Sequence, residues 1–283
     1  MTMRVTTKSW VDGLLPVRGR EAHKGDFGKV LLLCGSVGFT GAAALAARAA
    51  LRAGSGLIYL GVPERIYPIL AVKLDAPMVF PLPDDGFGRL SALGVREILW
   101  RLKGCDACLA GPGLGRSEDI RQVIRAVLEH AACPVVLDAD GLNAAAGHID
   151  VLRGTSCAAV LTPHEGEFAR LGGDLALGRQ TAAERMARET GKIVLLKGHR
   201  TLITDGETTF ENPTGNPGMA TGGSGDVLSG ILVSLLGQGL PALEAAAAAA
   251  YLHGAAGDLC AAEMGEYGLT PGDLIRALPR LLK

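Results

Sequence analysis

Six short apolar runs constrain the fold of this chain more than any other feature: Val30–Cys34, Gly56–Leu60, Ala107–Ala110, Pro134–Leu137, Ala158–Leu161 and Ile193–Lys197. Most are continuous rather than alternating, which is the pattern of strands buried on both faces, as in a parallel sheet. Helix-like segments lie between them. Asp119–His130 places Ile120, Val123, Ile124 and Val127 at helical spacing, and Gly41–Ala53 and Thr181–Thr190 have the same character. Strand then helix, repeated, predicts an open α/β sandwich with right-handed crossovers. Beyond Thr221 only helices are expected: Asp226–Leu236, Leu243–Leu259 with six consecutive alanines, and a short one from Pro271. With no internal repeat and no low-complexity linker, residues 1–283 read as one domain.

Composition removes several function classes. The 28 basic and 29 acidic residues give a net charge of −1, so no global field attracts nucleic acid or an anionic membrane. The most apolar run, Val227 to Leu236, is interrupted by Ser229, Gly230 and Ser234 and falls short of the roughly 20 residues that cross a bilayer. Met1 to Arg20 shows no apolar segment of signal-peptide type, so a cytoplasmic location is expected. Six scattered cysteines read as small buried apolar side chains. The Cys105-Asp-Ala-Cys108 pair has no second ligand pair at metal-binding spacing.

Chemistry is concentrated in Asn216-Pro-Gly-Met-Ala-Thr-Gly-Gly-Ser-Gly-Asp226-Val-Leu-Ser-Gly230. Gly222, Gly223, Ser224 and Gly225 form a phosphate cradle, in which backbone N–H groups approach an anion and a helix start near Asp226 points its positive end at it. Asp226 reads either as a first-turn acid of that helix or as a base. A carboxylate where phosphate oxygens should sit is costly unless it takes a proton from an attacking hydroxyl, and the crowding of glycines favours the base.

Four further segments belong to strand ends, where ligand loops gather in such a sheet. Cys34-Gly-Ser-Val-Gly-Phe-Thr-Gly41-Ala42-Ala43 is either a tight strand-to-helix connection or a backbone ligand surface; it is not GxGxxG and lacks the lysine of a P-loop. Ala110-Gly-Pro-Gly-Leu-Gly115 is a rigid turn that exposes backbone N–H groups. Asp138 and Asp140 either hold magnesium through water, or one caps a helix while the other is solvated. Thr162, Pro163 and Glu165 read as N-cap, N1 and N3 of a helix with a capping box, leaving His164 at the ligand edge. A fifth segment, Lys197-Gly-His-Arg-Thr201, joins two strand-like runs, and its lysine is either a solvated edge charge or a nucleotide contact.

Taken in order, these segments resemble the ADP-dependent NAD(P)H-hydrate dehydratases of the ribokinase-like fold. The resemblance rests on Gly-Phe-Thr-Gly-Ala at 38–42, Gly-Pro-Gly-Leu-Gly at 111–115, Asp-Ala-Asp at 138–140, Thr-Pro-His at 162–164, Lys-Gly at 197–198, and Asn-Pro-Gly-Met-Ala at 216–220 leading to Gly-Asp-Val-Leu-Ser-Gly. It runs from about His23 to Leu236. It implies a three-layer α/β/α sandwich with a mostly parallel central sheet. It also implies a lyase that restores NADH or NADPH from the S epimer of the hydrates NADHX and NADPHX. ADP, with Mg2+, phosphorylates the ring hydroxyl, and phosphate leaves to give AMP. On this likeness Asp226 is the base. Ala42, Gly113, Gly115, His164 and Asp226 contact the hydrate, and Lys197, Gly198, His199, Arg200, Thr201 and Gly225 contact the adenine nucleotide. A homo-oligomer, expected as a tetramer, and a separate epimerase chain as functional partner are implied too. Glu165 stands where the family often has proline, Gly141 replaces a usual alanine, and His199-Arg200 vary the nucleotide turn. The alternative is a small-molecule alcohol kinase of the same fold, of thiazole or hydroxymethylpyrimidine type.

Overall fold

A computed structural model describes residues 2–282. The strands are β1 (Thr2–Val5), β2 (Lys29–Leu33), β3 (Leu57–Pro63), β4 (Met78–Leu82), β5 (Ala107–Ala110), β6 (Val135–Leu137), β7 (Ala159–Leu161), β8 (Ile193–Leu196), β9 (Leu202–Thr204) and β10 (Thr208–Glu211). The helices are α1 (Lys8–Leu14), α2 (Thr40–Arg52), α3 (Tyr67–Lys73), α4 (Val95–Leu102), α5 (Glu118–His130), α6 (Asp140–Ala145), α7 (Asp150–Gly154), α8 (Glu165–Arg170), α9 (Arg179–Thr190), α10 (Ser224–Gly237), α11 (Ala242–Met264) and α12 (Pro271–Ala277). All ten strands form one sheet in the order β1-β10-β9-β8-β7-β6-β5-β2-β3-β4, and β9 alone pairs antiparallel to its neighbours.

The continuous apolar runs are explained by burial on both faces. Val30 and Leu32 of β2 face the cluster built with α2, α10 and α11, while Leu31 and Leu33 face the cluster built with α5 and α9. The result is the three-layer α/β/α sandwich. Truncating one of these leucines to alanine removes its transfer energy and leaves a cavity, costing roughly 2–5 kcal/mol. Small residues let the helices approach: the six alanines Ala245–Ala250 of α11 are all buried.

Several elements were not legible in the periodicity, among them the short helices α3, α4 and α7. β1 is short and joins the sheet beside β10 through pairs such as Met3 with Thr209, and α1 follows it with only Val11 buried. β4 is an edge strand, and β10 is a four-residue strand of threonine, phenylalanine and glutamate. β1 and β4 lie at the two edges of the sheet and carry exposed residues such as Met3 and Met78, so neither presents a continuous buried run.

Strand order reverses once near the middle. The chain goes outward from β2 through β3 to β4, then resumes on the other side of β2 with β5. A crevice at the carboxyl ends of β2 and β5 is therefore the topological switch point, where ligands bind in open α/β sheets.

Candidate active site

The two glycine turns meet at that switch point. The Gly35 amide donates to the Pro112 carbonyl at 2.8 Å, and the Ser36 hydroxyl donates to the Gly113 carbonyl at 2.7 Å. Gly113 has φ +67, and a Cβ there would sit 2.9 Å from the Cβ of Ala42, so the turn after β5 needs glycine to lie against α2. The Gly115 amide donates to Asp140 Oδ2 at 2.8 Å. Ala42, Gly113 and Gly115 thus share one surface.

Asp138 and Asp140 do not share a ligand between them. Asp138 is 1% exposed. Its Oδ1 accepts from Lys197 Nζ at 2.9 Å and Thr162 Oγ1 at 2.8 Å, and its Oδ2 accepts from Ser229 Oγ at 2.7 Å. Asp140 serves the Gly115 amide and Asn143 Nδ2. No group of three or more His, Cys, Asp or Glu among the described residues is placed to hold a metal. The donor set does not fit a magnesium held jointly by Asp138 and Asp140, because their oxygens are already committed in different directions. Between them Ala139 takes φ 48, ψ −112, in a turn closed by the Gly141 amide on the Asp138 carbonyl at 2.9 Å. That conformation belongs to glycine at the first central position of a type II′ turn, and alanine holds it at a cost of about 1–3 kcal/mol.

The capping expectation at the next strand end is corrected. The N-cap of α8 is His164, with Glu165 at N1 and Glu167 at N3, and the capping box joins His164 to Glu167. Thr162 and Pro163 stay outside the helix because they serve the strand ends: the Thr162 hydroxyl is bound to Asp138, and the Pro163 carbonyl accepts from the Lys197 amide at 2.8 Å. The cap also fixes the histidine. Nδ1 accepts from the Gly166 amide at 3.0 Å, so in the neutral ring the proton resides on Nε2, which becomes a hydrogen-bond donor.

Lys197 is neither a solvated edge charge nor a free phosphate clamp. Its ammonium lies 2.9 Å from Asp138 and 3.6 Å from Glu167, whose side chain is 7% exposed. Burial alone would lower its pKa, but the charges of Asp138 and Glu167 outweigh this and hold it above the ordinary value.

Asp226 is the N3 residue of α10, whose N-cap is Gly223, so the helix begins two residues earlier than expected. Gly223 has φ +95, and a Cβ there would be 2.6 Å from Leu45 Cδ1. Among the described residues no hydrogen bond reaches the Asp226 carboxylate. Burial, helped by the negative charge of Asp138 and opposed by Lys197, pushes its pKa up to about 7. A carboxyl group poised near neutrality and left without a partner is suited to accept a proton at physiological pH.

A cavity of about 850 Å³ opens beside the start of α10. Lys197, Gly198, His199, Arg200 and Thr201 line one wall, Ser224 and Gly225 another, and His164 its edge. Ala42, Gly113, Gly115, Gly222, Gly223 and Asp226 are not part of its lining; the first three belong to the adjoining switch-point surface. The opposite wall was only partly legible in the sequence, which marked it from Asn216 onward but not residues 212–215 or the α11 contribution. It consists of the 212–221 segment and, from α11, His253 and Gly254. Asp258 of α11 anchors this segment, accepting from the Gly215 amide and Asn216 Nδ2, each at 2.9 Å. A Cβ at Gly254 or Gly257 would overlap Thr214 or Met219. Glycines three apart in an alanine-rich helix were the available signal. His253 Nε2 lies 3.1 Å from Ser224 Oγ, and burial lowers its pKa to about 4 despite that contact, so it is neutral.

The description NAD(P)H-hydrate dehydratase belongs to the family model that matches residues 30–280. The bifunctional NAD(P)H-hydrate repair enzyme Nnr of Moorella thermoacetica is 46% identical over 99% of this chain and 54% of its own length, so the chain spans about half of that relative. The ADP-dependent (S)-NAD(P)H-hydrate dehydratase of Cenarchaeum symbiosum is 37% identical over 100% of this chain and 98% of its own. Among solved structures, the ADP/ATP-dependent NAD(P)H-hydrate dehydratase of Bacillus subtilis, co-crystallized with ATP/Mg2+, superimposes with a TM-score of 0.85 at 32% identity, covering 99% of this chain and 98% of that one. The ribokinase-like sandwich expected from the sequence is the fold of such neighbours. With the family model covering nearly all of the sheet, the chain belongs to the NAD(P)H-hydrate dehydratase family.

Proposed function

We propose that the protein dehydrates the S epimer of NADHX or NADPHX at the expense of ADP. The observation that carries this reading is Asp226: an unpartnered carboxyl group, poised near pH 7, in the first turn of a helix whose Ser224 and Gly225 line the cavity. Asp226 takes the proton of the ring hydroxyl as its oxygen attacks the terminal phosphorus of ADP, and AMP leaves. Amides of Gly223 to Gly225 at the helix start stabilise the transferring phosphoryl group. The ring-nitrogen lone pair then expels phosphate from the carbon that carried the hydroxyl. Loss of a proton from the adjacent carbon completes the double bond. Hydrate and ADP become NADH or NADPH, AMP and phosphate.

ADP occupies the cavity along Lys197 to Thr201, and the hydrated dinucleotide lies against Ala42, Gly113, Gly115 and His164. With Nδ1 committed to the cap, His164 donates from Nε2 and is a substrate contact rather than a second base. Magnesium travels with the nucleotide phosphates, and no step is drawn through it. An epimerase acting beside this chain widens its supply to both epimers. No helix among the described residues is long and apolar enough to cross a membrane; a cytoplasmic homo-oligomer fits the same reading. Incubation with the hydrate and either ADP or ATP, with AMP and reduced nicotinamide followed together, tests it. ADP-dependent release of both in equal amounts is expected; accumulation of a phosphorylated alcohol with no recovery of reduced nicotinamide supports the kinase alternative.

A further inference from the structure

Arg179, the first residue of α9, lies behind the wall of the cavity formed by Lys197 to Thr201. Its guanidinium donates to three carbonyls at and just before that wall: Nη1 to His199 O at 2.8 Å, and Nη2 to Lys197 O at 3.1 Å and Leu196 O at 3.3 Å. The approach is so close that a Cβ at Gly198 would overlap Nη2. On its other side, Nε lies 3.1 Å from Glu165 Oε1, the residue at N1 of α8. The turn it supports is not self-sufficient. Arg200 has φ 54, which disfavours a residue with a branched or long side chain, and inside the turn a single side chain, Thr201, bridges back to Gly198.

We propose that Arg179 is the positioning residue of the nucleotide subsite: it holds the backbone from Leu196 to His199 in the shape that receives the adenine nucleotide, with Glu165 as its counter-charge, at ion-pair distance from Nε but without a hydrogen bond. A planar five-donor fork suits this task, because it serves several carbonyls at fixed angles at once, which an ammonium on a flexible stem does not. Glu165 gives the guanidinium a counter-charge. At 57% side-chain exposure its contribution is small, so the carbonyl contacts carry most of the effect. The pair also gives a physical reason for glutamate at this position, where a proline would leave Arg179 facing α8 without a partner.

This inference rests on the assignment of the cavity to ADP, and the experiment separates the two. ADP binding to wild-type protein is measured by calorimetry, followed by Arg179→Ala, Arg179→Lys and Glu165→Gln, each checked for fold by circular dichroism. The account expects Arg179→Ala to weaken ADP binding about tenfold or more, equivalent to ~1.4 kcal/mol per decade. Arg179→Lys should fall between, and Glu165→Gln should change it less than threefold, roughly the effect of an exposed pair. The KM for the hydrate and kcat at saturating ADP should stay at wild-type values, which a general loss of structure would not allow. Should Arg179→Ala fail to fold, Arg179→Lys decides, since it keeps the charge and loses the fork. Wild-type affinity for ADP in the folded variants, or an equal rise in the hydrate KM, overturns the positioning role alone. No ADP binding by the wild type overturns the nucleotide assignment, and this inference with it.

Discussion

Replacing Asp226 by asparagine should separate catalysis from stability. The substitution keeps volume and removes the group proposed to accept the hydroxyl proton, and a positioned base contributes roughly 10²–10⁴ in rate. The structure also sets a stability consequence of opposite sign. The folded-state pKa of about 7 lies above the unfolded value of 3.8, because burial disfavours the charged form and Asp138 adds to it. A raised carboxyl pKa means the folded protein binds the proton more tightly than the unfolded chain. The stability this contributes is fully present below pH 3.8 and is lost as pH rises through 7. The difference between the two pKa values converts to at most about 4 kcal/mol of destabilisation by the ionised group at pH 8. Asp226→Asn never ionises there, so at pH 8 its thermal midpoint should exceed that of the wild type by several degrees, and the gap should narrow toward pH 5. Differential scanning calorimetry at the two pH values, with initial rates on the same samples, makes the test. A gap of equal size at both pH values refutes the buried-charge reasoning; an unchanged kcat removes Asp226 from the chemistry.

The wild-type rate should rise as pH is brought up through 7, since the base acts as carboxylate. Lys197→Met leaves Asp138 and Glu167 without their cation and should cost about 3–5 kcal/mol in urea unfolding. It should also move the acid limb of the residual pH–rate profile to higher pH, because Lys197 holds the Asp226 pKa down; an unmoved limb contradicts the coupling. Ala139→Gly releases a strained turn at φ 48 and should raise the urea midpoint by the equivalent of about 1 kcal/mol; a lower midpoint argues that the turn is relaxed. Gly222 meets open space, whereas a Cβ on Gly223 meets Leu45, so Gly223→Ala should destabilise by at least ~1–2 kcal/mol and Gly222→Ala should leave the thermal midpoint in place while slowing turnover.

Much of this molecule was legible in its sequence because the sheet is buried on both faces. Continuous runs such as Val30–Cys34 and Ala107–Ala110 leave few alternatives, and the loops that follow them fall together once the strands are parallel. Among the elements that escaped, alongside β4 and several short helices, are those where tertiary pairing replaces a local pattern: β1, whose partners lie some two hundred residues away, and β10. In the site, the glycine turns and Asp226 were visible as composition. The direction of a polar side chain was not. Asp138 and Asp140 look like a pair in sequence, yet the strained turn at Ala139 separates them, one turned to Lys197 and Ser229 and the other to Gly115. The Thr-Pro-His-Glu segment satisfied a capping pattern two residues ahead of the true one, because Thr162 was already engaged by Asp138. His253 and Asp258 were hidden in a helix that reads as packing alone, where only the glycines three apart, Gly254 and Gly257, mark the side of α11 that meets the cavity wall.

The central claim is that phosphoryl transfer here serves to expel an oxygen rather than to make a phosphoester. The most direct measurement gives purified protein the S hydrate of NADH with ADP and follows the absorbance of the reduced nicotinamide ring while counting AMP and phosphate. The account predicts NADH, AMP and phosphate in equal amounts, dependent on ADP and abolished by Asp226→Asn. AMP formed without NADH, or NADH recovered without ADP, contradicts it.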